Sequence, residues 1–272
     1  MFFCERTSSL PGLSGRALHG LREARRANIF ASITNYDMAM PLSLADFKLI
    51  SAVCELRYES AYLIYDRTGL ICQEARSVYP DCNVSSAAPN QTYLQFSEGS
   101  FALELNQCRF STTRPDSSLE KFAGHCKGFF NSVVYNLDVK VFTRVGLRVL
   151  LRKEFKDFAE AKAALTSLKL VTLQPVERFG AASEPHEVYF RWEGSQLGAM
   201  VNFRAESGKI DVILPPELEA EKSEIHKSFN GLIVDVDYYT VAPVERSQWD
   251  APSWIPRSIR TVKREIDAII GI

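Results

Sequence analysis

The chain has 272 residues, 46% hydrophobic and 24% charged, with 32 Lys and Arg against 33 Asp and Glu for a formal net charge of −1. That is the profile of a globular protein with material for one large domain or two modest lobes. So even a balance excludes a global electrostatic pull toward nucleic acid or anionic membrane, and either partner would need a local patch.

No apolar run approaches the roughly 18 residues of a membrane-spanning helix, and no membrane partner is expected. The six cysteines, Cys4, Cys54, Cys72, Cys82, Cys108 and Cys126, form no C-x-x-C pair. They read as reduced thiols in a cytoplasmic protein, with no metal site and no cofactor implied.

Residues 1–37 carry no apolar period and read as a poorly ordered leader ahead of the regular chain, which starts around Met38 and Met40. "KLISAVCELRY" alternates Ile50, Ala52, Cys54, Leu56 and Tyr58 on one face, which predicts a strand. A helix follows with Ser60 as its N-cap. Ala61, Ile64, Thr68, Ile71, Ala75 and Val78 keep helical spacing, and Pro80 stops it. "PDCNVSSAAPNQ" reads as a polar loop.

"TYLQFSEGSFALELNQCRF" reads as a hairpin turning at Ser97–Ser100 around Gly99. Ser117 and Glu120 form a capping box for a helix whose apolar face is Leu119, Phe122, Cys126, Phe129, Val133 and Leu137. In "DVKVFTRVGLRVLLRKEF" every second residue from Val139 to Leu151 is Val, Thr or Leu. The positions between read Lys140, Phe142, Arg144, Gly146, Arg148, Leu150 and Arg152. That predicts a strand with one apolar and one arginine-studded face. A short helix capped by Asp157 aligns Phe158, Ala161, Leu165 and Leu168.

"QPVERFGAASEPHE" reads as a joint. Beyond it "EVYFRWE", "LGAMVNFRAE" and "KIDVILP" predict a three-stranded meander with turns at Gly194-Ser195 and Ser207-Gly208. "PPELEAEKSEIHKSFNG" is a charged excursion before the strand "GLIVDVDYYTV". A closing helix carries Ile255, Ile259, Val262, Ile266 and Ile269, with Gly271 at its end. Both halves repeat antiparallel strands backed by amphipathic helices. The expected class is therefore α+β, with an N-terminal lobe over 38–174 and a C-terminal lobe over 175–272.

The chain has no phosphate-binding loop, dinucleotide fingerprint, metalloprotease helix or nucleophile elbow. His19, His125, His186 and His226 are each isolated from a second ligand. The most chemical-looking element is the pair Asp235 and Asp237, two apart on a strand and so on one face. Such a pair can hold a divalent cation for phosphoryl or nucleotidyl transfer on nucleotides or nucleic acid. The Gly-rich turn and helix those enzymes place ahead of it are missing. Lys140, Arg144, Arg148 and Arg152 could instead track a single-stranded nucleic acid, though only Phe142 offers an interleaved aromatic. The bland reading pairs Arg144 and Arg148 with Asp235 and Asp237 across neighbouring strands, as one polar cluster.

Three short stretches, "AVCELRY", Gly146-Leu147-Arg148 and "LIVDVDYY" before the closing helix, resemble those of a family of bacterial proteins of about this length. That family is known only as sporadically distributed and without assigned activity. The resemblance covers Pro41 to the C-terminus, implies a bacterial cytosolic protein, and supplies no catalytic residues. The leading expectation is a non-enzymatic module that binds a protein partner. The metal-dependent enzyme and the single-strand binder are the alternatives.

Overall fold

The computed structural model describes residues 42–113, 118–171, 185–212 and 225–271. The expected leader, most of the joint and much of the charged excursion lie outside them. Strand β1 (Lys48–Tyr58) is followed by helix α1 (Ile64–Val78) and a four-stranded meander. The meander comprises β2 (Asn83–Ala88), β3 (Gln91–Phe96), β4 (Gly99–Glu104) and β5 (Gln107–Thr112), and α2 (Leu119–Asn136) closes it. A second pass runs β6 (Val141–Phe155), α3 (Phe158–Ser167), β7 (Glu187–Glu193), β8 (Leu197–Val212), β9 (Ile225–Thr240), the short β10 (Val244–Glu245) and α4 (Ala251–Ile270).

The class is α+β, and the strands form one antiparallel sheet. Its order is β2-β3-β4-β5-β1-β6-β9-β8-β7, with β10 beside β6. Each pass is a strand, a helix, a meander whose last strand returns to the first, and a closing helix. Each pass alone leaves its first strand with one unpaired edge. Those edges satisfy each other, because β1 pairs with β6 over Lys48–Tyr58. The strands of the expected N-terminal lobe and those of the expected C-terminal lobe are joined in one continuous sheet.

The helices pack on one face: α1 on β3, α2 on β1 and β5, α3 on β6, β8 and β9, and α4 on β6 and β9. Beneath them lie Ala52, Cys54 and Leu56 of β1, Leu147 and Val149 of β6, and Leu232, Val234 and Val236 of β9, all buried. In the first pass an aromatic stack fills this layer. Phe101 lies 3.9 Å from Phe129 and 4.8 Å from Phe110, ring centre to ring centre. His125 sits against Tyr79, Phe96 and Phe110, and burial holds its imidazole below the usual value. Cys54, Cys108 and Cys126 are free and fully buried, and burial pushes the Cys108 and Cys126 thiols up.

Several expected details shift. β6 carries a bulge at Thr143, since Arg57 faces Arg144 but Tyr58 faces Phe142. The extra residue reverses the alternation, so Phe142 is buried against Trp249 rather than lying among the arginines. A similar irregularity in β1 buries Leu49 in place of Ile50. Helix α1 starts at Ile64 after Leu63, which makes no side-chain cap, not after Ser60. The N-cap of α2 is Ser118, accepting from Lys121 N–H at 3.1 Å, one residue later than expected.

The expected loop at "PDCNVSSAAPNQ" contains β2, and the expected hairpin has a third strand, β5. β8 runs unbroken through Ser207-Gly208. Asp138, which turns the chain from α2 into β6, takes a left-handed φ of 49°, a conformation aspartate tolerates at helix ends.

Candidate functional site

The other face of the sheet carries no helix among the described residues and is polar, as one side of an antiparallel sheet commonly is. Register fixes its composition. Val53, Arg148, Asp237, Met200 and Arg191 stand opposite one another on β1, β6, β9, β8 and β7. Because strands alternate, Glu55, Arg57, Arg144, Asp235 and Tyr239 share that face.

The structure brings all four residues of the expected cluster together, in two networks. Arg144 Nη2 donates to both carboxylate oxygens of Asp237, at 3.0 and 2.8 Å. Its Nη1 donates to Glu55 at 3.2 Å. Glu55 also accepts from Arg57 Nε at 2.6 Å. Arg57 and Arg144 are directly opposite, an arrangement of like charges that costs stability unless something lies between them. Glu55 does.

In the second network Arg148 grips Asp235 with two donors, at 2.9 and 2.6 Å. Arg204 approaches the same carboxylate at 3.8 Å and donates to Glu206 at 3.0 Å. The two networks differ in exposure. The Arg144 and Asp237 side chains are 22% and 20% exposed, whereas Arg148 is 62% exposed. At Asp237 burial outweighs the guanidinium groups of Arg144 and Arg148, and its carboxyl is held above its ordinary value.

Glycines make room for this layer. A Cβ on Gly146 would come within 3.0 Å of Arg144 Nη1, so the guanidinium lies across bare backbone. From there it stacks on the Tyr239 ring at 4.8 Å. The Tyr239 ring in turn covers Gly198, where a Cβ would meet it at 2.9 Å. The arrangement recurs at the far end of β6. Arg152 lies over Gly231 and stacks on Phe229 at 4.6 Å, and Phe229 covers Gly208, the residue read as a turn. Between these clamps Ile233 is only 4% exposed. Its cross-strand neighbours are Arg152 and Arg204, and long arginine stems shield apolar surface in this way.

Lys140 pairs with Asp138 at 2.5 Å and Arg152 with Glu154 at 2.7 Å. A divalent cation between Asp235 and Asp237 would have to displace Arg148 or Arg144. Glu55, Arg204, Tyr239 and Phe229 were missed as members of the site. Glu55 and Arg204 sit on the polar phase of their strands, so alternation flags them as exposed, but their partners depend on register.

On the β2–β5 side the polar face changes character. A cavity of about 480 Å³ is lined by Asp81, Asn83, Gln95, Ser97, Ser100 and Ser111 among others. Its groups bond one another: the Ser100 and Ser111 hydroxyls are 2.8 Å apart, and Asp81 accepts from Ser97 N–H at 2.7 Å. No protein-family model matches the chain, and no curated protein matches it.

Proposed function

We propose that the chain is a non-enzymatic module of the bacterial cytosol that docks a protein partner on the polar face of its sheet. The observation that supports this reading is the state of the charges there. Arg144, Arg148, Asp235 and Asp237 are each held by fixed neighbours, which gives a pre-ordered, charge-balanced surface. Such a surface loses little side-chain freedom when a polar protein surface meets it. A single-strand groove would want unanswered cations and open aromatic platforms, whereas Tyr239 and Phe229 already carry Arg144 and Arg152 on their rings.

The test places a photo-crosslinking residue at Ser111, on the polar face, or at Lys127, exposed on α2, in native cells. A defined protein adduct from position 111 and not from 127 supports the reading. Identical adducts from both positions, or a nuclease-sensitive adduct from 111, overturn it.

A further inference from the structure

β7 ends the sheet, and among the described residues it pairs only with β8. Hydrogen bonds at the two ends of that pairing fix which backbone groups are used. The His186 carbonyl accepts from Ala205 N–H at 3.1 Å, and Gly194 N–H donates to the Leu197 carbonyl at 2.9 Å. Antiparallel ladders alternate, so Val188, Phe190 and Trp192 turn their N–H and C=O groups toward β8. Glu187, Tyr189, Arg191 and Glu193 turn theirs outward. An edge of this kind is a template for another strand.

The residues along this edge are complementary to themselves. In a second copy laid antiparallel about Tyr189, Glu187 falls opposite the copy's Arg191, and Arg191 opposite the copy's Glu187. Val188 meets Phe190, and Tyr189 meets Tyr189. The acid–base rungs and the tyrosine rung are the ones with outward backbone groups, so hydrogen bonds and charge pairing coincide. Moving the centre to Phe190 would set Glu187 against Glu193, like against like. Val188 is buried on the helix face and Phe190 packs partly against the core, so their apolar strip would continue into the copy. Tyr189 and Trp192, 56% and 48% exposed, are the large side chains this pairing would cover.

We propose that two copies of the chain join their sheets through β7, antiparallel about Tyr189. Sedimentation of the full chain over a concentration series should move from 30.6 kDa to twice that mass. Glu187→Arg alone and Arg191→Glu alone each create like-charge rungs and should stay monomeric. An equimolar mixture of the two variants restores both rungs and should regain the doubled mass, as should the double variant. Circular dichroism identical to wild type shows that the single variants are folded. A wild type that stays at the monomer mass throughout, or single variants that dimerise as well as wild type, overturns the proposal. So does a mixture that fails to associate when wild type does.

Discussion

In the first pass of the fold the rings of Phe96, Phe101, Phe110, Phe122 and Phe129 stack beneath the helices. Beyond β1, whose Glu55 and Arg57 reach across into the Arg144 network, its polar face carries serines and glutamines such as Gln95, Ser100 and Ser111. In the second pass the helix face is mostly aliphatic, with Val149, Val201, Leu232 and Val234, and arginines, carboxylates and glycine-seated rings interlock on the opposite side. The same succession of strand, helix, meander and helix is thus held in two ways. One half relies on aromatic burial under its helices, and the other adds a layer of side chains on its polar side. Substitutions on the two faces should therefore separate the halves.

The largest effect is expected from Phe101→Ala, which empties a site only 1% exposed and should cost about 3–5 kcal/mol in urea denaturation. Arg144→Ala removes the donors that satisfy a half-buried Asp237 and should cost about 1.5–3 kcal/mol. Gly146→Ala should cost about 1–3 kcal/mol by unseating the Arg144 guanidinium. In an Arg144→Ala background the same glycine change should be close to neutral, because the group it strikes is gone. A Gly146→Ala cost that persists there would show that backbone, not Arg144, requires the glycine. Arg148→Ala should cost less than about 1 kcal/mol, since that guanidinium is largely in water.

The smallest effect is a slope. Asp237 binds its proton more tightly in the folded state than in the unfolded chain, so its ionisation works against folding. Its contribution to stability falls as pH rises from the ordinary 3.8 through its raised value. Asp237→Asn should remove that slope, so wild type loses stability relative to the variant with rising pH across the acid range. Equilibrium unfolding at a series of pH values measures the difference, and parallel curves would contradict it.

The faces of β1, β6 and β9 and of α2, α3 and α4 were legible because each buries one side against a partner, which writes a period into the sequence. β2 has no such side. Its residues Asn83–Ala88 are almost all exposed at the sheet's edge, so "NVSSAA" carries no alternation and reads as a loop. Gly208 misled in another way, since glycine marks a turn or a ring laid over backbone equally well, and only the position of Phe229 decides. The Thr143 bulge was hidden for a related reason. Val141 and Thr143 continue the apolar alternation of the sequence past the point where the register with β1 shifts. The charges of the central cluster were visible, but their exact partners depend on a register that no single strand contains.

The meeting of β1 and β6 also bears on how the chain is made. β1 is translated first yet ends at the centre of the sheet. Its edge opposite β5 is closed only by β6, which ends at Phe155. Until that strand has left the ribosome, the nascent first half exposes an eleven-residue strand edge with nothing to pair with, the kind of edge that recruits other chains. The ladder that closes it joins residues as far apart as Glu55 and Gly146 or Lys48 and Arg152, and pairing between such distant residues is in general slow to form. A fragment stopped at the end of α2 should accordingly aggregate, or pair its β1 with that of a second fragment, and supplying the second half in trans should rescue it.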